Sequence, residues 1–443
     1  MALNKITVDS IASNTITAAV IADGTVIAAD IADGSITGPK LGPGAISSNN
    51  IPSGSITGDK IGQSAVSANN IASNSIETYM ATSGRPFSNR NIIINGAMEV
   101  AQRNVTFSGI TTNQSGYYTA DRWRLQVSSS VGIWTMNVES STSGFSTTGF
   151  SNSANLICTT NQGTFNTGEE LVLQQRIEGS NLQEIKKGTA NAESVTVSFW
   201  TKSSNTGTYI CELLDNANNR QISKTYTINT AGAWEKKTVT FPPDTTGQIT
   251  ANNALGVTLN FWALAGSDFT SGTLNSSAWA TTVNVNRAVG QTNLGFQVGN
   301  YLAITGVQME TGTVATPFER RPLVTELALC QRYHMRYKNY DILAAGYITS
   351  TTTATVIFHL PVALRASPSY ILDINNFSQI TLDHGSSATT LSANPTTSGT
   401  GAAVMPVYCS VASGLTLGQG CVISGMGGAG GFPDAFIGFD AEL

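Results

Sequence analysis

The chain is predicted to be mainly β: an N-terminal repeat shaft of intertwined chains, a central antiparallel β-sandwich, one short helix and a C-terminal β domain. Three observations carry this. An aliphatic residue recurs at every fifth position over residues 1–76, runs of alternating apolar and polar residues come after it, and charged residues make up only 12% of the chain. That charged share is about half the usual one, and with abundant Gly, Ser, Thr and Asn it suits strands joined by many turns.

The shaft is assigned to 1–79. Its series runs Ile6, Ile11, Ile16, Ile21, Val26, Ile31, Ile36, Leu41, Ile46, Ile51, Ile56, Ile61, Val66, Ile71 and Ile76. Alternate members differ in the next residue, which is Ala, Gly or Pro in one set and mostly Thr or Ser in the other, so the true unit is ten residues. A helix would smear a period of five around its surface, and a flat strand would throw successive side chains to opposite faces. The chain must therefore turn once per pentad, with Gly and Asn accepting positive φ. A single-chain solenoid needs small inward residues where Asp9, Asn14, Pro39, Asp59 and Asn69 stand. One Ile in five is also little apolar surface against the ordering entropy of one chain. Several chains around one axis fit better than a solenoid or a disordered tail, and three close cyclically. The axis candidates are Ile11, Ile21, Ile31, Leu41, Ile51, Ile61 and Ile71.

Residues 80–90, with Gly84, Arg85 and Pro86, read as a linker. The sandwich is assigned to 91–320, opening on Asn91-Ile-Ile-Ile-Asn95-Gly96. Val195, Val197 and Phe199 share one face, as do Leu255, Val257, Leu259, Phe261 and Ala263; Tyr209 to Leu214 and Trp234 to Phe241 read likewise. The last strand is placed at Tyr301 to Glu310, with a bulge at Thr305-Gly306, because the apolar set changes phase from Leu302 and Ile304 to Val307 and Met309. Pro322 then opens a helix expected over 322–338, within a trimerising segment 321–339. Its Leu323, Leu327 and Cys330 are expected to meet symmetry mates, and His334 to pack or cap on the same face. β character returns over 340–443, in runs at Tyr347, Ala354 to Leu360, Tyr370 to Ile374 and Phe436 to the end.

Net charge is −5 with no Lys/Arg cluster, which argues against a nucleic-acid partner. No apolar run is long enough to span a bilayer, so no membrane insertion is expected. Lys5 is not followed by an apolar core, so no secretory signal is expected. The five cysteines (Cys158, Cys211, Cys330, Cys409, Cys421) lack metal spacing and read as buried thiols. No metal or other cofactor is expected.

Four ordered segments resemble the tail-fibre proteins of bacteriophages, especially those of marine phages and cyanophages. They are the pentad units; Asn91 to Gly96 with Ala101-Gln-Arg103 and Asp121-Arg-Trp123; Ile304 to Glu310 with Thr316-Pro-Phe-Glu-Arg320 and Leu327 to Tyr333; and Leu364 to Pro368 with Phe439 to Leu443. The resemblance implies a homotrimeric virion component, joined to other tail or baseplate proteins through its N-terminal region and touching a host-envelope glycan or protein with its distal domains. It implies that the middle region is a jelly roll like those of carbohydrate-binding modules, some of which hold calcium. Ala97-Met98 and Thr305-Gly306 depart from the acidic positions of calcium-holding relatives, although Glu99 is kept.

Sugar recognition needs an aromatic face beside amide or carboxylate groups. Among the six tryptophans, Trp123, Trp200 and Trp262 read as core, while Trp134 and Trp279 lie nearer polar loops and are receptor candidates. Asp383 and His384, in the polar stretch 379–399, are the others, with an ordinary solvated turn as their plainer reading. The glycine run 425–431 reads either as a tip loop or as a place where chains crowd together. Catalysis is not expected. Glu169-Glu170 is an adjacent pair of the sort that chance supplies, no nucleophile elbow occurs, and the three histidines form no metal motif. The rival expectations are a tail-associated depolymerase and a spacer that never touches the host.

Overall fold

The computed structural model describes residues 89–443 except 141, 164–165, 339–341, 373–379, 394, 398–402 and 426–435. In the N-terminal region it describes 17, 19, 21–22, 24–42, 45–47, 49, 51–53, 55–57 and 60–62. The chain divides into two units, Met1–Thr82 and Ser83–Leu443.

In the first unit the ten-residue period is a period of turns. After every second aliphatic residue the chain folds back through Thr25 N to Ala22 O, Ser35 N to Ala32 O, Ala45 N to Gly42 O and Ser55 N to Pro52 O. Between these, 3-10 turns close from Asp30 N to Ile27 O, Lys40 N to Thr37 O and Lys60 N to Thr57 O. Gly24 (φ 76°) and Gly34 (φ 73°) take the positive φ that the repeat calls for. Ile21, Ile31, Leu41, Ile51 and Ile61 are 38–43% exposed, whereas Val26, Ile36, Ile46 and Ile56 are 52–55% exposed. Ile11 and Ile71 lie outside the described residues.

The second unit holds the sandwich. Its first sheet runs β1 (Thr106–Ile110), β4 (Ile133–Ser140), β5 (Asn152–Thr160), β13 (Tyr301–Thr311), β7 (Val195–Ser203), β10 (Glu235–Phe241). Its second sheet runs β12 (Ala280–Thr281), β9 (Arg220–Ile228), β8 (Gly207–Asp215), β11 (Leu255–Ala265), β6 (Glu170–Glu178), β3 (Trp123–Ser128), β2 (Gly116–Tyr117). All these neighbours are antiparallel. The core lies between the sheets, Val197, Phe199 and Ile304 from one meeting Leu173, Leu259 and Phe261 from the other.

The expected bulge is present. Pairing of β13 with β7 shifts register between Thr305 and Gln308, and Gly306 has φ +60°. Leu302 and Ile304 before it, and Val307 and Met309 after it, thereby all enter the core. A Cβ on Gly306 would strike the Phe150 ring, which is itself packed edge-on to Phe318 at 4.8 Å. Gly306→Ala is therefore expected to cost about 2 kcal/mol, read as a lower melting temperature; an unchanged one would mean that the turn tolerates a side chain.

The helix is shorter than the sequence suggests. It spans Leu323–Gln331, and β14 (His334–Lys338) comes next. β14 pairs with β23 (Phe436–Asp440), His334 opposite Asp440 and Tyr337 opposite Ile437. The expectation of a helix to 338 fails because Tyr333, Met335 and Tyr337 also fit a period of two, and the partner strand selects that period. Cys330 is fully buried against its own chain with Ile94, Val100 and Tyr333, so it cannot meet a symmetry mate; Leu327 packs partly into the same cluster. Leu323 and Val324 are 58% and 74% exposed.

Two further antiparallel sheets complete the unit. One is β14–β23–β17 (Ser369–Leu372). The other runs β19 (Ser387–Thr390), β18 (Ile380–His384), β22 (Gly420–Gly425), β15 (Ile342–Ile348), β16 (Thr353–His359), β21 (Val404–Ser410), β20 (Thr396–Thr397). Val356, Phe358, Val407, Ile423 and Phe439 share their core. The five cysteines are buried and unbridged.

Candidate functional site

The outer face of the second sheet carries a row of polar residues, one from each strand in turn from β2 to β9. The strand registers place Tyr117 opposite Arg124, Arg124 opposite Gln174, Gln174 opposite Asn260, Asn260 opposite Glu212 and Glu212 opposite Ser223. Strand alternation explains the face. Trp123, Leu125 and Val127 point into the core, so Arg124, Gln126 and Ser128 point out. Hydrogen bonds run along the row: Arg124 Nη1 to Gln174 Oε1 (3.1 Å), Gln174 Nε2 to Asn260 Oδ1 (3.4 Å) and Asn260 Nδ2 to Glu212 Oε2 (2.9 Å). At strand spacing, such a row is about 24 Å long.

The two ends differ. At the Glu212 end Phe269 and Ala288 pack over Val172, Ile210 and Trp262 and form a roof. Arg287 donates to both oxygens of Glu212, at 2.7 and 3.0 Å, and its guanidinium lies 5.1 Å from the Trp262 ring. Trp262 Nε1 adds a bond to Glu212 at 3.1 Å, and Ser223 Oγ donates to Arg287 O at 2.7 Å. Glu212 and Ser223 are 0% exposed. Burial acts to lower the Arg287 pKa, but the charge of Glu212 outweighs it, so the guanidinium is held above its usual value. Burial pushes the nearby Glu170 carboxyl upward against the pull of Arg287.

The other end is open. Tyr117, Arg124, Gln126, Ser128 and Arg176 are half-buried there. Arg124 donates to the amide oxygens of Gln126 and Gln174, and Arg176 Nε donates to Gln174 Oε1 at 3.1 Å. Burial, and next the like charge of Arg176, hold the Arg124 pKa below its usual value. Arg176 Nη1 and the Tyr117 hydroxyl both donate to the main-chain oxygen of Leu443, at 2.8 and 3.3 Å. This end offers guanidinium, amide and phenol groups on a rigid sheet, which suits directional bonding to hydroxyls or oxyanions. Ser128 Oγ donates to Glu170 Oε2 at 3.1 Å, so a carboxylate stands beside this end.

A separate cleft of about 320 Å³ lies between Asn91, Ile94, Asn181, Gln183, Arg321 and Leu329. Its polar groups are largely spent within the chain. Asn91 serves Ile93 N, Met309 N and Val307 O, and Arg321 serves the carbonyls of Asn91 and Ile93. The open end of the row is the better candidate.

The residues singled out from sequence do not gather there. Trp134 is fully buried between the sheets, its Nε1 bonded to Val131 O at 2.7 Å, so it cannot meet a receptor. The polar neighbours that suggested a loop are the outward positions of β4. Trp279 is half-buried, with Lys187 Nζ 5.1 Å from its ring and its Nε1 bonded to Pro242 O. Asp383 and His384 stand on β18, on opposite faces, and not in a solvated turn. Asp383 accepts a bond from Ser424 Oγ at 2.7 Å; His384 is buried, 3.0 Å from Thr389 Oγ1. Trp123 and Trp262 are fully buried, Trp200 half-buried. Glu169 accepts bonds from Gln162 and Asn166 and so does not act with Glu170. Glu99 faces Arg320 at 3.8 Å, and among the described residues no group of three or more His, Cys, Asp or Glu is placed to hold a metal ion.

No family model and no curated protein matches the chain. Among solved structures, the enzymatically active domain of bacteriophage CBA120 tailspike protein 4 is 16% identical, over 50% of this chain and 21% of its own, with a TM-score of 0.27. TmCBM61 in complex with β-1,4-galactotriose is 11% identical over 50% and 99%, with a TM-score of 0.25. A family 11 carbohydrate-binding module of a Clostridium thermocellum cellulase is 10% identical over 47% and 99%, with a TM-score of 0.24. At these scores the likenesses carry no argument, and the site stands on its own geometry.

Proposed function

We propose that the chain is a trimeric adhesin of the phage tail-fibre kind, which binds a host-surface glycan at the open end of the polar row. The observation that carries this reading is the row itself. Hydrogen-bonding side chains from successive strands are locked to one another and stop half-exposed beside Tyr117. Preorganised donors of this kind lower the ordering cost of binding. The pentads support the trimer, because a single chain leaves the described members of its aliphatic series, Ile21 to Ile61, at least 38% exposed and other copies would cover them. Three weak sites on one fibre would then hold a surface by avidity.

Light scattering on the whole chain is expected to give the mass of three copies, and a monomer would remove the trimer. Leu323→Asp with Val324→Asp tests the helix surface better than a change at Leu327, which packs inside its own chain. On an array of bacterial surface glycans, binding is expected for the wild type and a loss of tenfold or more for Tyr117→Ala, about 1.4 kcal/mol. A blank array, or a variant that binds as well as the wild type, would sink the glycan reading.

A further inference from the structure

We propose that the chain carries a second saccharide site, on the outer face of the first sheet, where Trp200, Trp234 and Tyr301 hold a neutral pyranose and Lys202 bonds its oxygens. It lies on the opposite sheet from the polar row and does not depend on that row. Alternation sets the face. Val197 and Phe199 of β7, and Leu302 and Ile304 of β13, point into the core, so Trp200, Lys202, Tyr301 and Ala303 point outward. The registers gather them: Lys202 stands opposite Ala303, and Trp200 stands opposite Lys236 of the edge strand β10. Trp234 comes just before that strand. Lys202 Nζ lies 5.2 Å from its ring and 5.5 Å from the Tyr301 ring.

The tryptophans differ in how they use their indole N–H. Trp123, Trp134, Trp262 and Trp279 donate to Asn95 O, Val131 O, Glu212 and Pro242 O. Among the described residues Trp200 and Trp234 find no acceptor, and their half-buried indoles keep the N–H at the surface. The lysines divide in the same way. Lys187, Lys224 and Lys237, also withdrawn from solvent, donate to Thr246 O, Ser276 O and Glu235. The Lys202 ammonium, also half-buried, makes only its two ring contacts. At the margin, Glu139 accepts a bond from Asn155, and after burial its charge is what pushes the Tyr301 hydroxyl pKa up. The face thus offers aromatic rings, unused donors and one carboxylate acceptor. Sugar C–H faces stack on such rings while the hydroxyls take directional bonds. The carboxylate favours a neutral sugar over an anionic one. Rings already held by the sheet lose little freedom on binding.

Tryptophan fluorescence of the whole chain, titrated with the tetrasaccharides of β-1,4-glucan, β-1,3-glucan, α-1,4-glucan and β-1,4-galactan, tests this. At least one probe is expected to shift the emission to the blue. Trp234→Ala should weaken that binding about tenfold or more. Lys202→Met, which keeps the stem between the rings and removes the ammonium, should weaken it severalfold at an unchanged melting temperature; it decides the matter if Trp234→Ala proves unstable. Tyr117→Ala, on the other sheet, should leave the titration as it is. No shift with any probe overturns the proposal, and so does full affinity in Lys202→Met. A shift abolished by Tyr117→Ala assigns the signal to the polar row and also overturns the second site. None of these failures touches the polar row, which the array tests.

Discussion

Glu212→Ala is expected to lower the melting temperature on the order of 10 °C, the largest effect of any single change on the sandwich. The carboxylate takes four hydrogen bonds, two from Arg287 and one each from Asn260 and Trp262, and it is fully buried. Its removal leaves the Arg287 guanidinium under the roof with Glu170 as the remaining carboxylate, at 4.0 Å. Breaking one half of a buried pair costs about 3–5 kcal/mol, because the orphaned charge stays desolvated. Glu212→Gln keeps the shape and the bonds to neutral donors, so it should recover part of the loss. Thermal melts followed by circular dichroism decide the matter. A variant that melts with the wild type would mean that the roof and the row are not coupled.

The second large effect is expected where the chain from Asp440 to Leu443 lies against the sandwich. Arg122, 1% exposed at its side chain, pairs with Glu442 and lies 3.4 Å above the Tyr333 ring. Arg103 reaches Glu442 and Asp440 at 3.2 Å each, and Arg365 donates to the carbonyls of Ala441 and Glu442 at 2.7 and 3.0 Å. Glu442→Ala strips Arg122 of its carboxylate and should again cost about 3–5 kcal/mol. The expected readout is early proteolysis of the C-terminal sheets while the sandwich stays protected. Simultaneous loss of both would place the effect elsewhere.

Acid should loosen the same seam. His334 is buried, with Nδ1 3.7 Å from Asp440, and burial lowers its pKa. The unfolded chain then takes up this proton more readily than the folded one, so stability falls as pH drops below about 6.5. Burial alone would raise the Asp440 carboxyl, but His334 and Arg103 outweigh it and hold it low, so its contribution fades as pH falls below about 3.8. Both effects have one sign. His334→Phe should flatten the upper part of the profile, and an unchanged slope between pH 6.5 and 5 would assign it to other groups.

Much of the fold was legible because strand burial leaves a period of two. The bulge at Gly306 was legible for the same reason, since a break in that period is itself a signal. The pentads announced their turns through Gly24 and Gly34. Residues 334–338 misled because Cys330 and His334 fit a helix while Tyr333, Met335 and Tyr337 fit a strand, and only β23 decides. The site was not legible for a geometric reason. Tyr117, Arg124, Gln174, Asn260, Glu212 and Ser223 come from separate strands, and sequence spacing says nothing of which residues will stand in register. The faint signal was in Arg124-Leu-Gln-Val-Ser128 and Gln174-Gln-Arg176, where outward positions carry long donors and acceptors.

The place of β13 has a consequence for how the sandwich is made. This strand lies in the middle of the first sheet, where Ile304 pairs with Ala154 of β5 on one side and with Thr201 of β7 on the other. Until Tyr301–Thr311 has emerged from the ribosome, β5 and β7 have no neighbour between them, and each exposes an open ladder. Contacts so distant in sequence close slowly, and open ladders invite pairing with the wrong chain. A nascent chain therefore passes through an interval in which the repeat region is already made and the sandwich is still unsealed.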